Sequence, residues 1–281
     1  MRAQFLGTAA AEGYPDPFCG CENCHSAQEL GGPNLRKRSS LLIDGELLID
    51  LGPDVLASSQ IHGIPLTRLR YCLQTHEHQD HLHPALFVAR SPYCGVHDAP
   101  TLHFYGTQGA LDLATRALGH FAALGCDEAA ARLNLALHPI GPFQTFAVGP
   151  YRVSTVLAAH DPSIVPLLYI IEREGRSLFY ATDTGPLPEA TWAALRAWGG
   201  RFEVVIMDHT LGFGAPSPRH LNGEQFRAAV ARLRELGLLA DDARVYATHI
   251  AHHSNPPHQL LLEQATADGY LVAHDGLTLD M

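Results

Sequence analysis

His76-Glu77-His78-Gln79-Asp80-His81 follows directly on the apolar stretch Tyr71-Cys72-Leu73 and its polar end Gln74-Thr75. Side chains two apart in an extended segment face the same side, so His76 and His78 converge. Asp80 and His81 come after the chain turns and aim at a second point close by. Neutral imidazole is the commonest biological metal ligand, and aspartate adds a hard oxygen and negative charge. One ion cannot easily take all four groups from so short a stretch, so the spacing favours two adjacent ions. The alternative is a surface histidine-rich loop without metal, and the alternation immediately behind a strand argues against it.

This His-x-His-x-Asp-His run resembles the signature of the metallo-β-lactamase-fold hydrolases, and the resemblance extends in order over nearly the whole chain. It implies a third histidine for the first metal after a mid-chain strand, which falls on His160 behind Tyr151-Arg152-Val153-Ser154-Thr155-Val156-Leu157. A bridging aspartate is implied after the next hairpin and falls on Asp183. A last histidine is implied at the end of a late strand and falls on His249 in Val245-Tyr246-Ala247-Thr248-His249. The implied set is His76, His78 and His160 on one metal, Asp80, His81 and His249 on the other, with Asp183 and a hydroxide between them. Asp50, in Leu48-Ile49-Asp50-Leu51-Gly52, matches the acid that orients the ligand loop from behind. Taken singly, His160 reads as a partly buried core histidine, Asp183 as a turn residue and His249 as a strand-end residue. Together they share the carboxyl ends of β-rich runs, where layered α/β folds place ligands.

Phe18-Cys19-Gly20-Cys21-Glu22-Asn23-Cys24 places three thiols within six residues, most of a tetrahedral zinc site. A disulfide across one intervening residue would be strained and would leave one cysteine over. His252, three residues beyond His249, is the expected fourth ligand, with His253 as the alternative. Such a Cys3His site is closed and therefore structural. The Cys-x-Cys-x-x-Cys loop with a His-x-x-His pair looks like that of the phosphoribosyl cyclic phosphodiesterases of the carbon–phosphorus lyase pathway. The same loop and the ending His249-Ile250-Ala251-His252-His253-Ser254-Asn255-Pro256 also resemble the B proteins of pyrroloquinoline quinone biosynthesis, which typically lack the full histidine run.

The chain has 281 residues, 46% of them hydrophobic, enough for one sizeable layered domain over residues 1–281 with a zinc-binding loop at 18–25. Met1-Arg2-Ala3-Gln4-Phe5-Leu6-Gly7 reads as a strand entering a turn rather than a charged leader before an apolar helix. With no membrane-length apolar run, and with Cys72, Cys94 and Cys126 scattered, a cytoplasmic location is expected. A net charge of −10 disfavours long nucleic acids, whereas bound divalent ions locally invert that sign and admit a small anionic substrate. Arg36-Lys37-Arg38 reads as a solvated basic loop. The sequence does not show an oligomeric state; a homodimer is a common outcome for such chains.

Strands are expected over residues 2–6, 70–74, 102–105, 202–207 and 244–248, and a hairpin over 40–50 turned at Asp44-Gly45. Residues 133–181 are β-rich and 270–280 complete the fold. Helices are expected over 53–62, 108–124, 189–198, 223–236 and 257–267. Two β-rich halves with outer helices make an α/β fold, a four-layer αββα sandwich with metals at one edge between the sheets.

The resemblance implies a dinuclear metal-dependent hydrolase in which a metal-bridging hydroxide attacks a small phosphodiester, a cyclic sugar phosphate being one candidate. Zinc, manganese and iron all suit the His/Asp set, while the thiolate site prefers zinc. His220, in Ser217-Pro218-Arg219-His220-Leu221-Asn222, is the expected proton donor to the leaving group, against a bland reading as a helix-entry residue. Asp208 either orients it or ends a strand. His83, His97, His103 and His209 are read as non-ligands. The alternatives are a lactone or thioester hydrolase on the same metals, and a non-catalytic carrier as in quinone cofactor biosynthesis.

Overall fold

The computed structural model describes residues 1–118 and 131–281. The first sheet holds β1 (Arg2–Gly7), β2 (Ser40–Ile43), β3 (Leu47–Ile49), β4 (Tyr71–Leu73), β5 (Leu102–Gly106), β6 (Leu135–Pro139) and β14 (Thr278–Asp280), in the order β14-β1-β2-β3-β4-β5-β6. The second holds β7 (Thr145–Val148), β8 (Tyr151–Leu157), β9 (Leu167–Arg173), β10 (Arg176–Ala181), β11 (Phe202–Asp208), β12 (Leu239–Thr248) and β13 (Leu271–Val272), in the order β13-β12-β11-β10-β9-β8-β7.

The strand sequences dictate burial on both faces. In β11 the side chains of Val204 and Ile206 enter the space between the sheets, while those of Val205 and Met207 pack outward under helices. Alternating directions with apolar residues at every step are the mark of a strand covered on both sides. The middle layer joins Phe5, Leu41, Ile49 and Leu73 of one sheet to Tyr169, Leu178, Tyr180 and Ile206 of the other. The first sheet's outer face is covered by α2 (Val55–His62), α3 (Ala85–Ala89) and α4 (Gln108–Ala117). The second is covered by α5 (Glu189–Trp198), α6 (Gly223–Glu235) and α7 (His258–Ala267). Truncating a fully buried side chain such as Phe179 would cost about 3–5 kcal/mol. The architecture is the four-layer αββα sandwich.

The turn at Asp44-Gly45 is present: both residues have left-handed φ, 53° and 73°, and Glu46 N–H donates to Ile43 O at 3.0 Å, the pairing resuming at Leu47. Some boundaries differ from expectation. The expected zinc loop at 18–25 is half helix, because α1 (Glu22–Leu30) starts inside it and carries Cys24. The helix expected from residue 53 starts at Val55, the turn before it being closed by Pro53 and Asp54. The expected strand at 244–248 begins at Leu239. The tail at 270–280 divides into β13 and β14, one on each sheet. α4 runs over Gln108–Ala117; the rest of the helix expected to 124, with Cys126, falls on residues 119–130, outside the described residues. Arg36 is buried, not solvated: its guanidinium donates to Thr8 Oγ1 at 2.9 Å and Ala273 O at 2.5 Å. Among the described residues no helix is long and apolar enough to cross a membrane.

β3 and β4 run parallel, as do β10, β11 and β12. β8 is antiparallel to β9, and β9 to β10, so β8 points the same way as β10. The carboxyl ends of these strands therefore gather at one edge, carrying Asp50, His76, His160, Asp183, Asp208 and His249.

Candidate metal centre

Three of these strands end in a strained residue. Asp50, Asp183 and His249 adopt φ of 66°, 62° and 59°, in the left-handed region that side-chain-bearing residues rarely enter. The conformation turns each out of its strand into the cleft, and such strain clusters at functional sites. Two glycines let the loops close up. A Cβ on Gly52 would lie 2.6 Å from Asp80 O, and one on Gly185 would collide with Pro218 O.

His76 Nε2 lies 3.0 Å from His78 Nδ1, and His160 Nε2 3.1 Å from the same atom. A tetrahedral cation with bonds of about 2.0–2.1 Å sets its nitrogen ligands roughly 3.3 Å apart, close to these spacings. Asp183 Oδ2 is 3.2 Å from His76 Nε2 and 3.0 Å from His81 Nε2. On the other side, Asp80 Oδ2 lies 3.2 Å from His81 Nε2 and 3.9 Å from His249 Nε2. Three groups of potential ligands share Asp183: His76, His78 and His160 with it, Asp80, His81 and His249 with it, and Asp208, His220 and His249 with it. His81 Nε2, His249 Nε2 and Asp183 Oδ1 are buried without a hydrogen-bond partner, an arrangement costly in itself and suited to divalent cations.

The nitrogens facing away from this centre are engaged. Asp50 Oδ2 sits 2.7 Å from His81 Nδ1 and fixes the proton there, leaving Nε2 for the cleft. Asp50 also accepts from Gln74 Nε2, Thr75 N and Thr75 Oγ1. Thr210 Oγ1 lies 2.7 Å from His249 Nδ1, and Thr75 Oγ1 2.9 Å from His76 Nδ1. Asp161 Oδ2 is 3.5 Å from His78 Nε2. Thr210, Gln74 and Asp161 escaped the sequence reading, because a hydroxyl, amide or carboxylate beside a ligand has no distinctive spacing.

Burial raises the Asp80 carboxyl, but the imidazoles of His81 and His249 outweigh it and hold Asp80 well below the carboxylate range. Asp183 is likewise lowered, its burial overcome by His249, His76 and His81. Burial lowers His81, yet Asp80 and Asp50 raise it well above the usual imidazole value. His76, buried and facing His81, is pushed down to about 4.

His220 joins the centre. Its Nδ1 lies 3.1 Å from Asp183 Oδ1 and 3.2 Å from Asp208 Oδ2. Burial lowers its pKa, and the hydrogen bond and charge of Asp208, with the charge of Asp183, more than offset this and raise it to about 9. Asp208 is fully buried, accepts from the N–H groups of Thr210 and Leu221, and so orients the His220 loop. Asn222 and Gln225 close that loop with a reciprocal cap on α6.

Cys19, Cys21, Cys24 and His252 form a separate potential ligand group, with Cys21 Sγ 3.5 Å from His252 Nδ1. His253 is half-exposed, turned toward Ser254 and Glu12. The Cys24 N–H helps to lower the Cys21 thiol to about 6, while burial pushes Cys24 up to about 12. Asp16 Oδ2 lies 3.5 Å behind His252 Nε2. His209 contacts Asn255 and Tyr270 with its two nitrogens, His103 contacts His138, and His83 and His97 are exposed.

The pattern of the β-lactamase superfamily domain matches residues 46–250. Coenzyme PQQ synthesis protein B of Methylobacterium radiotolerans is 26% identical over 326 aligned positions covering all of both chains. Its counterpart in an Azoarcus species is 25% identical over 324, again with full coverage. Among solved structures, a diphosphatase of the PhnP family has a TM-score of 0.72 at 22% identity, covering 100% of this chain and 97% of its own. Zn2+-bound PqqB from Methylobacterium extorquens has the same score and identity with 100% coverage of both chains. At such identities the structural likeness is one of fold.

Proposed function

The chain belongs to the β-lactamase superfamily, and from that premise we propose that it is a dinuclear metal-dependent phosphodiesterase acting on a small anionic phosphodiester. The observation that carries this reading is the position of Asp183, between two histidine groups and in contact with His220.

His76, His78 and His160 would hold one ion and Asp80, His81 and His249 the other, with Asp183 facing both. Divalent ions bound there supply Lewis acidity, making water nucleophilic near neutral pH and drawing charge from the phosphoryl oxygens. Asp50 and Thr210 fix the ring orientations of His81 and His249. Asp208 holds a proton on His220 Nδ1, with the charge of Asp183 nearby, leaving Nε2–H to protonate the departing alkoxide. Water and the phosphodiester become a phosphomonoester and an alcohol, the proton on the alcohol coming from His220. A Cys3His zinc at Cys19, Cys21, Cys24 and His252 would be structural.

Metal-loaded protein should therefore hydrolyse bis(p-nitrophenyl) phosphate in preference to a lactone or a thioester. Asp80→Ala should abolish turnover and His220→Ala should slow it. A lactone or thioester turned over in place of the phosphodiester would move the reaction class. Absence of turnover of all three would favour a carrier role in quinone cofactor assembly, the second reading, which rests on the full-length relatives named coenzyme PQQ synthesis protein B.

A further inference from the structure

Beside Asp80 lies a cleft of about 500 Å³ that the chemistry above does not use. Its walls include Ala11, Arg38, Gln79, His83 and Leu113, with Asp80 itself at the border. Arg38 is built into this wall. Its N–H donates to Asp54 Oδ2 at 3.1 Å, its backbone bridges to Ala9, and Gly7 packs so tightly on its carbonyl that a Cβ there would clash. The guanidinium is less well satisfied than the backbone. Among the described residues Nε is buried with no hydrogen-bond partner, its ion pair with Asp54 is long at 3.6 Å, and no hydrogen bond engages the terminal nitrogens. Apart from this long ion pair with Asp54, the arginine faces the cleft, in a chain of net charge −10.

We infer that Arg38, with Gln79 and His83 lining the same cleft, forms an anion subsite that reads a second negatively charged group, a carboxylate or phosphate, on the molecule whose ester sits at the metal centre. The planar fork of guanidinium donors suits either group in two-point fashion, and Asp80 connects the subsite to the reacting end. The inference rests on the phosphodiesterase reading for its substrate class but predicts binding, not turnover.

The test is calorimetric titration of metal-loaded protein with 3-phosphonopropionate and with propylphosphonate, which lacks the second anion. Native protein should bind the former at least tenfold more tightly. Arg38→Met should bring the two within twofold while leaving propylphosphonate unchanged, and Arg38→Lys should restore part of the preference. An unaltered preference in Arg38→Met, with native-like circular dichroism, would overturn the inference. If neither phosphonate binds, the phosphoryl reading of the centre fails. Glutarate against butyrate on the same proteins then decides the Arg38 subsite separately, with loss of a glutarate preference in Arg38→Met supporting it and no preference in native protein refuting it.

Discussion

His249 and His252 stand on either side of the buried pair Ile250-Ala251 and serve different clusters: His249 Nε2 lies 3.9 Å from Asp80 and His252 Nδ1 3.5 Å from Cys21 Sγ. The segment between them is tied to the N-terminal strand extension, Ile250 N–H donating to Thr8 O and Ala10 N–H to Ile250 O. A metal held by the thiol cluster would therefore anchor the strand end that carries His249.

Cys24→Ser should remove one zinc per chain, cost on the order of 3 kcal/mol or more and lower Tm by about 6–12 °C. It should also loosen, without emptying, the His/Asp centre through His249. Elemental analysis and calorimetry check this; a variant with unchanged zinc content and Tm would exclude a zinc role for the cluster.

Asp50→Asn keeps the shape but loses the charge that holds the proton on His81 Nδ1. Metal affinity of the His/Asp centre should fall roughly 10–100-fold. Chelator competition measures it, and equal affinity would mean that Asp50 does not tune His81.

His220→Ala should lower kcat by roughly 10²–10⁴-fold on a poor leaving group, and less on p-nitrophenolate, which departs without a proton. A group that must be protonated loses activity as pH rises through its pKa. The native basic limb should thus lie no higher than about pH 9, bound cations moving it lower, and the variant should lack it. A variant retaining that limb would assign it elsewhere.

The histidine run stood out because alternation behind a strand is a local pattern, and the remote candidates His160, Asp183 and His249 because the family pattern implied them, each closing a β-rich run; the structure brings them together. Asp208 was ambiguous in sequence, since its contacts to Thr210, Leu221 and His220 depend on how two loops fold back. Arg36-Lys37-Arg38 misled for a related reason. A basic triplet reads as solvated, yet β-pairing drives Arg36 under Ala273 and leaves Arg38 on a cleft wall. α1 was hidden because the spacing of its cysteine dominated the helical signal.

His258 offers a check on the fold away from the metals. Its Nδ1 accepts from Arg36 Nη2 at 2.8 Å, and burial, with Arg36 and His274, lowers its pKa from 6.5 to about 4. Between those values the unfolded chain binds the extra proton, so this group makes stability fall as pH drops from about 6.5 to 4, by roughly 1–3 kcal/mol. Asp275, raised by burial to about 6, acts in the opposite direction in native and variant alike. In urea titrations across this range, His258→Asn should lose correspondingly less stability than native protein. Parallel pH profiles would contradict the assignment.

The central claim is that separate strand ends grip a pair of cations. Its most direct measurement is metal content per chain of protein loaded with excess zinc or manganese and freed of unbound ions. Three tightly bound divalent ions are predicted, falling to one in Asp183→Ala and to two in Cys24→Ser. One ion or none in the native protein, or an Asp183→Ala variant that keeps all three, would contradict the account.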